Sequence, residues 1–218
     1  MGGTIGEVVP LALAIAASPF PIIPAILFLF TPRARATSIG FLIGWMIGII
    51  TVAVAFAALA SVIDPGDETP TWGSWARIGL GVLLVVLGVR QWRQKNEKSA
   101  TPAWMQSIED ATPGQALRLG LLLSAANPKI VLLAAASGLA IGSADLTTAG
   151  VVGAVAMFTA VAASTVALPL LLHAFLGDRM LGPLGRAKDW LKANNAVVMA
   201  WVLMVIGVAL SANGVGGL

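Results

Sequence analysis

The chain has 218 residues, 58% of them hydrophobic and 11% charged, with a formal net charge of +3 at pH 7. A soluble domain carries about 45–50% apolar and about 25% charged residues, so the composition excludes an ordinary soluble protein and describes an all-α polytopic membrane protein. The absence of cysteine excludes disulfides, thiolate metal sites and thiol-carrier chemistry, and one histidine leaves little for a metal centre.

The first apolar run covers 8–30 and is interrupted by Ala17-Ser18-Pro19-Phe20-Pro21. It is long enough to cross a bilayer, which takes about 20 apolar residues. Ala14-Ile15-Ala16 resembles a cleavage box, but no Lys or Arg precedes it, Glu7 does, and the run continues to Phe30. These features describe an uncleaved span rather than a signal peptide. The second run, 37–63, carries Gly40, Gly44 and Gly48 at a spacing of four. Such a stripe lets another helix approach closely. A broken helix of the same chain is the expected partner, with a homodimer face as the alternative, and Gly150 and Gly153 repeat part of the stripe later in the sequence.

The third run, 77–90, is short and rich in Gly and Val, and Trp72 and Trp75 are expected to anchor its outer end. The basic linker that follows contains Thr101-Pro102, a capping residue and a proline suited to the first helical position. Trp104, Met105 and Ile108 then share one face, which predicts a helix lying on the membrane surface. The fourth run, 117–141, is interrupted by Ala126-Asn127-Pro128-Lys129. The fifth, 147–175, holds Thr159, Ser164, Thr165 and Pro169 as candidate pathway residues, and His173 near its end. The stretch Leu184–Lys192 is a second candidate surface helix, ahead of the last run, 194–212.

The basic residues sort by loop. Arg33 and Arg35 follow the first span; Arg90, Arg93, Lys95, Lys98 and Arg118 surround the central linker; Arg179, Arg186, Lys188 and Lys192 precede the last span. The alternate loops hold only Arg77. Basic residues accumulate on the cytoplasmic side, so the expectation is a multi-pass protein of the cytoplasmic membrane with both termini outside. This pattern accounts for the basic charge without a nucleic-acid partner.

The two halves match. Ala17-Ser18-Pro19 corresponds to Ala126-Asn127-Pro128, Thr37-Ser38-Ile39-Gly40 to Thr147-Thr148-Ala149-Gly150, and Leu84–Val89 more weakly to Leu203–Val208. An odd number of spans per half inverts the second half. The expected architecture is six transmembrane helices as two inverted three-helix repeats, 1–92 and 117–218, joined by the linker 93–116, with the first helix of each repeat broken at proline.

Both breaks fall at the centres of their spans. A proline has no N–H to donate, so the carbonyl of Ile15 or Ser124 is expected to lose its helical partner, which in hydrocarbon is tolerated only inside a bundle or beside a wet cavity. Lys129 lies about 18 Å of helix rise from either end of its span, and a lysine there costs about 2.5–3.5 kcal/mol on insertion scales. An intramembrane charge is by default a functional group. Helices that begin after a break present amide donors and a positive dipole end. Lys129, Asn127, Pro128, Ser18, Pro19 and Pro21 are therefore the expected substrate site, suited to an anionic or electron-rich headgroup. The plainer alternative is that Lys129 bonds freed carbonyls and only stabilises the kink. No span offers a paired acid and base, a nucleophile with its base, or a metal cluster, so neither an enzyme nor a cofactor is expected.

The stretch Ala17-Ser18-Pro19-Phe20-Pro21-Ile22-Ile23-Pro24, continuing through Thr31-Pro32-Arg33-Ala34-Arg35 to Gly40-Phe41-Leu42-Ile43-Gly44-Trp45, resembles the actinobacterial GAP (glycopeptidolipid-addressing) and sulfolipid-addressing proteins. Asn127-Pro128-Lys129 resembles both that group and the wider LysE exporter superfamily. The resemblance implies a six-span protein that assists export of a lipid or glycolipid toward the cell envelope. The alternatives are a LysE-type exporter of amino acids or other small metabolites, and an accessory scaffold that moves nothing itself. Amino-acid exporters of the superfamily carry a Gly-Pro type break where this chain has Ser-Pro-Phe-Pro. Expected partners are membrane lipids, the lipid substrate, and either further copies of the chain or a larger lipid-export machine.

Overall fold

The computed structural model describes residues 2–62, 71–93, 108 and 110–215. Every element among them is helical: α1 Gly2–Ala16, α2 Pro19–Leu27 with a 3-10 turn Phe28–Phe30, α3 Ala34–Val62, α4 Thr71–Arg93, α5 Pro113–Ala125, α6 Pro128–Gly142, α7 Thr148–Leu176 with a 3-10 turn Gly177–Met180, and α8 Leu181–Val215. The surface helix expected at Thr101–Met105 lies outside the described residues, as do the side chains of Trp72 and Trp75.

Local chemistry sets the helix starts. Thr112 opens α5 with a reciprocal cap, its hydroxyl accepting from the Gln115 N–H while Gln115 Oε1 accepts from the Thr112 N–H at 2.7 Å, and Pro113 follows at the first position. Thr147 caps α7 by accepting from the Gly150 N–H at 3.2 Å. Gly177 ends α7 with φ +62°, a left-handed conformation that costs glycine nothing.

Two helical stretches, Ala34–Ala60 and Thr148–Asn194, are long and apolar enough to cross a membrane. Two bent pairs qualify when each is taken together: α1 with α2, bent by 51°, and α5 with α6, bent by 68°. Gly81–Arg90 and Ala196–Val205 are apolar but shorter than a span. The stretch Leu184–Lys192 is not a separate surface helix, because it forms early turns of the 35-residue helix α8. Leu184 is buried against Ile26 and Leu29 rather than offered to a lipid surface.

The chain forms two compact units, each drawn from both halves of the sequence: Met1–Ser61 with Ser99–Ala193, and Val62–Lys98 with Asn194–Leu218. In the second unit α4 and the end of α8 pack antiparallel at small residues. A Cβ added to Gly81 would sit 2.7 Å from the Gly207 carbonyl oxygen, and one added to Gly207 would sit 2.6 Å from that of Gly81. One helical rung further, Gly88 abuts Ala200 and Met204, and Trp92 meets Trp201 edge to face at 6.1 Å.

In the first unit each unbroken helix follows the broken helix of the other half. Gly40 of α3 lies on the Pro113 carbonyl, Gly44 on Leu117, and Gly48 on Leu121 and Ser124. Further along α3, Ala53 meets Gly138 and Ala57 meets Gly142. Both numberings rise together, so α3 runs parallel to α5 and then α6. Gly120 completes the contact from the opposite side, against Phe41, Gly44 and Trp45. The Gly40, Gly44 and Gly48 stripe thus packs onto α5. Gly153, cited with Gly150 as an echo of that stripe, has nothing within 4 Å of an added Cβ, so the close-packed seam does not extend to it.

The same parallel arrangement joins α7 to α1 and α2. Thr4 and Ile5 share a groove with Gly150, Gly153, Ala154 and Met157; the Thr165 hydroxyl reaches Ala16; Ile22 and Ile26 pack with Leu170 and Leu172. An added side chain at Gly44 has no room, since its Cβ would collide with backbone, and overpacking costs typically 1–3 kcal/mol. Gly44→Leu should therefore lower the thermal unfolding temperature in detergent by several degrees and Gly153→Leu should change it little. Equal effects of the two would refute the seam.

Candidate functional site

At the first break Ser18 has extended backbone, φ −73° and ψ 119°, and Pro19 takes the first position of α2. That position has no intrahelical acceptor for an N–H, so proline loses nothing there. The Ile15 carbonyl loses its helical partner to Pro19, as proline spacing predicts, but is not left unsatisfied. The Ser18 N–H turns back to it at 3.0 Å, a 3-10 closure of the last turn, while the Ala17 N–H reaches Leu13 at 2.8 Å. The Ala16 carbonyl is met from another span: the Thr165 hydroxyl of α7 donates to it at 2.7 Å. Ser18, Pro19, Pro21 and Pro24 are all buried, and the Ser18 side chain does not cap the helix it precedes.

The second break repeats this geometry. Asn127 has φ −81° and ψ 114°, and Pro128 starts α6. Asn127 Oδ1 accepts from the Lys129 N–H at 3.1 Å, and the Asn127 carbonyl accepts from the Val131 N–H at 2.9 Å. Asn127 thus bonds backbone on the far side of the break. Lys129 is half-buried at the second position of α6, and Pro128 is exposed. Ser124, fully buried one turn before the break, donates to the Gly120 carbonyl at 2.9 Å and presses on Gly48.

The two broken helices meet. α1 packs directly on α6, and Leu146, just past α6, shares a groove of about 110 Å³ with Thr4 and Ile5. The two helices are therefore antiparallel. Each has 15 residues. Ser18 and Pro19 follow the end of α1, and Asn127, Pro128 and Lys129 stand at the start of the helix on which α1 packs, whereas Pro21 lies within α2. The glycine stripe stands outside this group and holds α5 in place.

Around the first loop, the Thr31 hydroxyl donates to the Phe28 carbonyl at 2.8 Å and lies 2.9 Å from that of Thr37. Phe28, Phe41 and Trp45 continue inward as a buried aromatic row, with ring centroids 5.4 and 6.5 Å apart. His173 lies 3.4 Å from the Asp178 carboxylate, away from the breaks. Among the described residues no group of His, Asp and Glu could hold a metal ion. Sequence reasoning overlooked Trp45 as a site neighbour. The available signal was its position: tryptophans of spans belong near the interfaces, and this one is about 17 Å along α3. The remaining candidates divide: Ser164 is exposed and bonds its own helix, Thr165 serves the first break, and Thr159 and Pro169 are buried.

The profile of the family described as Sap, sulfolipid-1-addressing protein, matches residues 8–216, and the chain belongs to that family. No curated protein matches, and no solved structure does.

The bond from Thr165 to Ala16 is the cross-helix tie at the first break. A hydrogen bond of this kind contributes about 1 kcal/mol, and leaving the carbonyl unsatisfied costs about 1–3 kcal/mol. Thr165→Val, which keeps the shape, should lower thermal stability by that amount, and Thr165→Ser should retain most of it. Unfolding monitored by circular dichroism in detergent checks both.

Proposed function

Starting from that membership, we propose that the protein exports an amphiphilic lipid with an anionic, oxygen-rich headgroup across the cytoplasmic membrane toward the cell envelope. The observation that carries the proposal is the presence of two proline-broken helices, bent by 51° and 68°, with the first half of one packed on the second half of the other, which opens with Lys129 in its first turn. Paired interruptions of this kind mark substrate sites in transporters. The start of a helix offers amide donors and a positive dipole end, and Lys129 adds the cationic group. The family's description names a sulfolipid, and a sulfated glycolipid has the headgroup chemistry this site suits.

The full reading is six spans in two inverted repeats. The parallel course of α3 with α5 and α6, and of α7 with α1 and α2, supports it, because each such pair must cross the membrane in the same sense. The accumulation of basic residues in alternate loops supports an orientation with the Arg33 end in the cytoplasm and both termini outside. Transport then proceeds by rocking of one broken helix and its straight companion against the other pair, the headgroup passing the breaks while the acyl chains stay in lipid.

Purified protein in liposomes should move a fluorescent sulfated glycolipid between leaflets. Lys129→Met should slow this at least tenfold while the unfolding temperature stays within a few degrees of wild type. Amino-acid uptake in place of lipid movement would favour the LysE-type exporter. Absence of any movement, with co-purification of other envelope proteins, would favour the scaffold.

A further inference from the structure

Four polar side chains inside the first unit are buried without a hydrogen-bond partner among the described residues: Ser38 Oγ, Trp45 Nε1, Ser137 Oγ and Thr159 Oγ1. Native proteins rarely leave such groups unpaired, and each instance calls for an explanation. For a hydroxyl in an apolar helix a partner is always at hand, since it can bond the carbonyl three or four residues earlier. Other hydroxyls of this molecule do so. Thr51 bonds Ile47 at 2.8 Å, Ser124 bonds Gly120 at 2.9 Å, and Ser164 bonds Val161 at 2.7 Å. Ser38, Ser137 and Thr159 do not, although they are 1%, 0% and 2% exposed and have no solvent to compensate them.

Their placement is ordered. Ser38 and Trp45 lie seven residues apart on one face of α3, with Phe41 of the aromatic row between them. Both lie on the Arg33 side of the breaks, because Gly44 and Gly48 are level with α5, before its interruption. Ser137 adjoins Gly138, which meets Ala53 beyond the interruption. Thr159 is six residues before Thr165, which marks the first break, so it lies about 9 Å toward the Thr4 end. Two unpartnered groups thus flank the paired breaks on each side.

We infer that Ser38, Trp45, Ser137 and Thr159 line the two half-paths by which an oxygen-rich headgroup reaches and leaves the paired breaks. The inference deepens the transport reading and rests on it for the identity of the ligand. The indole N–H of Trp45 can only donate, and so selects an acceptor such as a sulfate, phosphate or sugar oxygen. The three hydroxyls can donate or accept, which suits the hydroxyls and ring oxygens of a sugar. In the packed form seen here these groups have no partners, and opening either half-path gives them one.

The chain has no cysteine, so single-cysteine variants need no altered background. Ser38→Cys, Ser137→Cys and Thr159→Cys, reconstituted in liposomes, are treated with a charged, membrane-impermeant thiol reagent applied to one face at a time. Val152→Cys and Leu168→Cys, at outward positions of α7 that are 63% and 52% exposed, serve as lipid-facing controls. The expected result is modification at least tenfold faster than the controls, with Ser38→Cys reacting from one face and the other two from the opposite face. Rates equal to the controls would overturn the inference, because the groups would then be permanently packed. The labelling does not depend on transport: sided labelling without lipid movement would uphold the half-paths and sink the lipid-export reading. In the transport assay, Trp45→Phe should slow movement of the sulfated glycolipid at least fivefold with no loss of thermal stability, since it removes a donor that is unpaired in the packed form. An unchanged rate would remove Trp45 from the path.

Discussion

A backbone interrupted inside hydrocarbon has to find every hydrogen-bond partner within the protein, and this requirement shapes the first unit. No bulk water reaches the interior of a bilayer to take up a freed carbonyl or N–H, and each unsatisfied group costs several kcal/mol. The two interruptions meet the requirement by the same economy of residue types. An extended residue precedes a proline, so the helix restarts at the one position where a missing N–H is harmless. The carbonyls left behind are then closed locally by a 3-10 turn, as at Ile15, or by a side chain from a distant span, as at Ala16. Asn127 caps its own helix through Lys129.

The straight helices follow from that constraint. A broken helix is weaker than a continuous one and needs a rigid neighbour along its length. α3 serves α5 and α6, and α7 serves α1 and α2, so each half of the sequence braces the interruption of the other. The contact at α3 depends on bare backbone: Gly40, Gly44, Gly48 and Gly120 bring the two main chains together closely enough that a methyl group would collide with backbone or with Ser124. Tight packing of this kind is also what lets a rigid pair move as one body, the mechanical need of any mechanism that opens alternately to the two sides of a membrane.

The polar groups of the interior divide by how they are satisfied. Thr31, Thr37, Ser124 and Thr165 are bonded and maintain turns and breaks. Ser38, Trp45, Ser137 and Thr159 have no hydrogen-bond partner among the described residues and stand on the two sides of those breaks. A packed core would replace such groups with apolar residues of the same shape at little cost. Their presence without partners in a packed interior is the observation on which the proposed half-paths rest.

Much of this was legible in the amino-acid order. Composition excluded a soluble protein, and Ser18-Pro19 and Asn127-Pro128 located both interruptions to the residue, because proline acts on its own helix and needs no knowledge of neighbours. The spacing of Gly40, Gly44 and Gly48 announced a close helix contact for the same local reason. What the spacing could not supply was a partner. That Gly44 meets Leu117 and that Thr165 meets Ala16, 149 residues away, depends on how helices pack, which is a property of surfaces rather than of periodicity. Proline spacing shows that the Ile15 carbonyl loses its helical partner, but not that Ser18 turns back to replace it. Leu184–Lys192 was read as a separate surface helix because its alternation of charge and Trp190 was visible and the apolar contact of Leu184 with Ile26 and Leu29 was not. Sequence alone therefore determined that the chain is helical and apolar and where two of its helices break, through constraints that act within a few residues. Tertiary structure alone decided which span braces which break and which buried hydroxyls stay unpaired, since a hydrogen bond or a close backbone approach exists only once both partners have been placed.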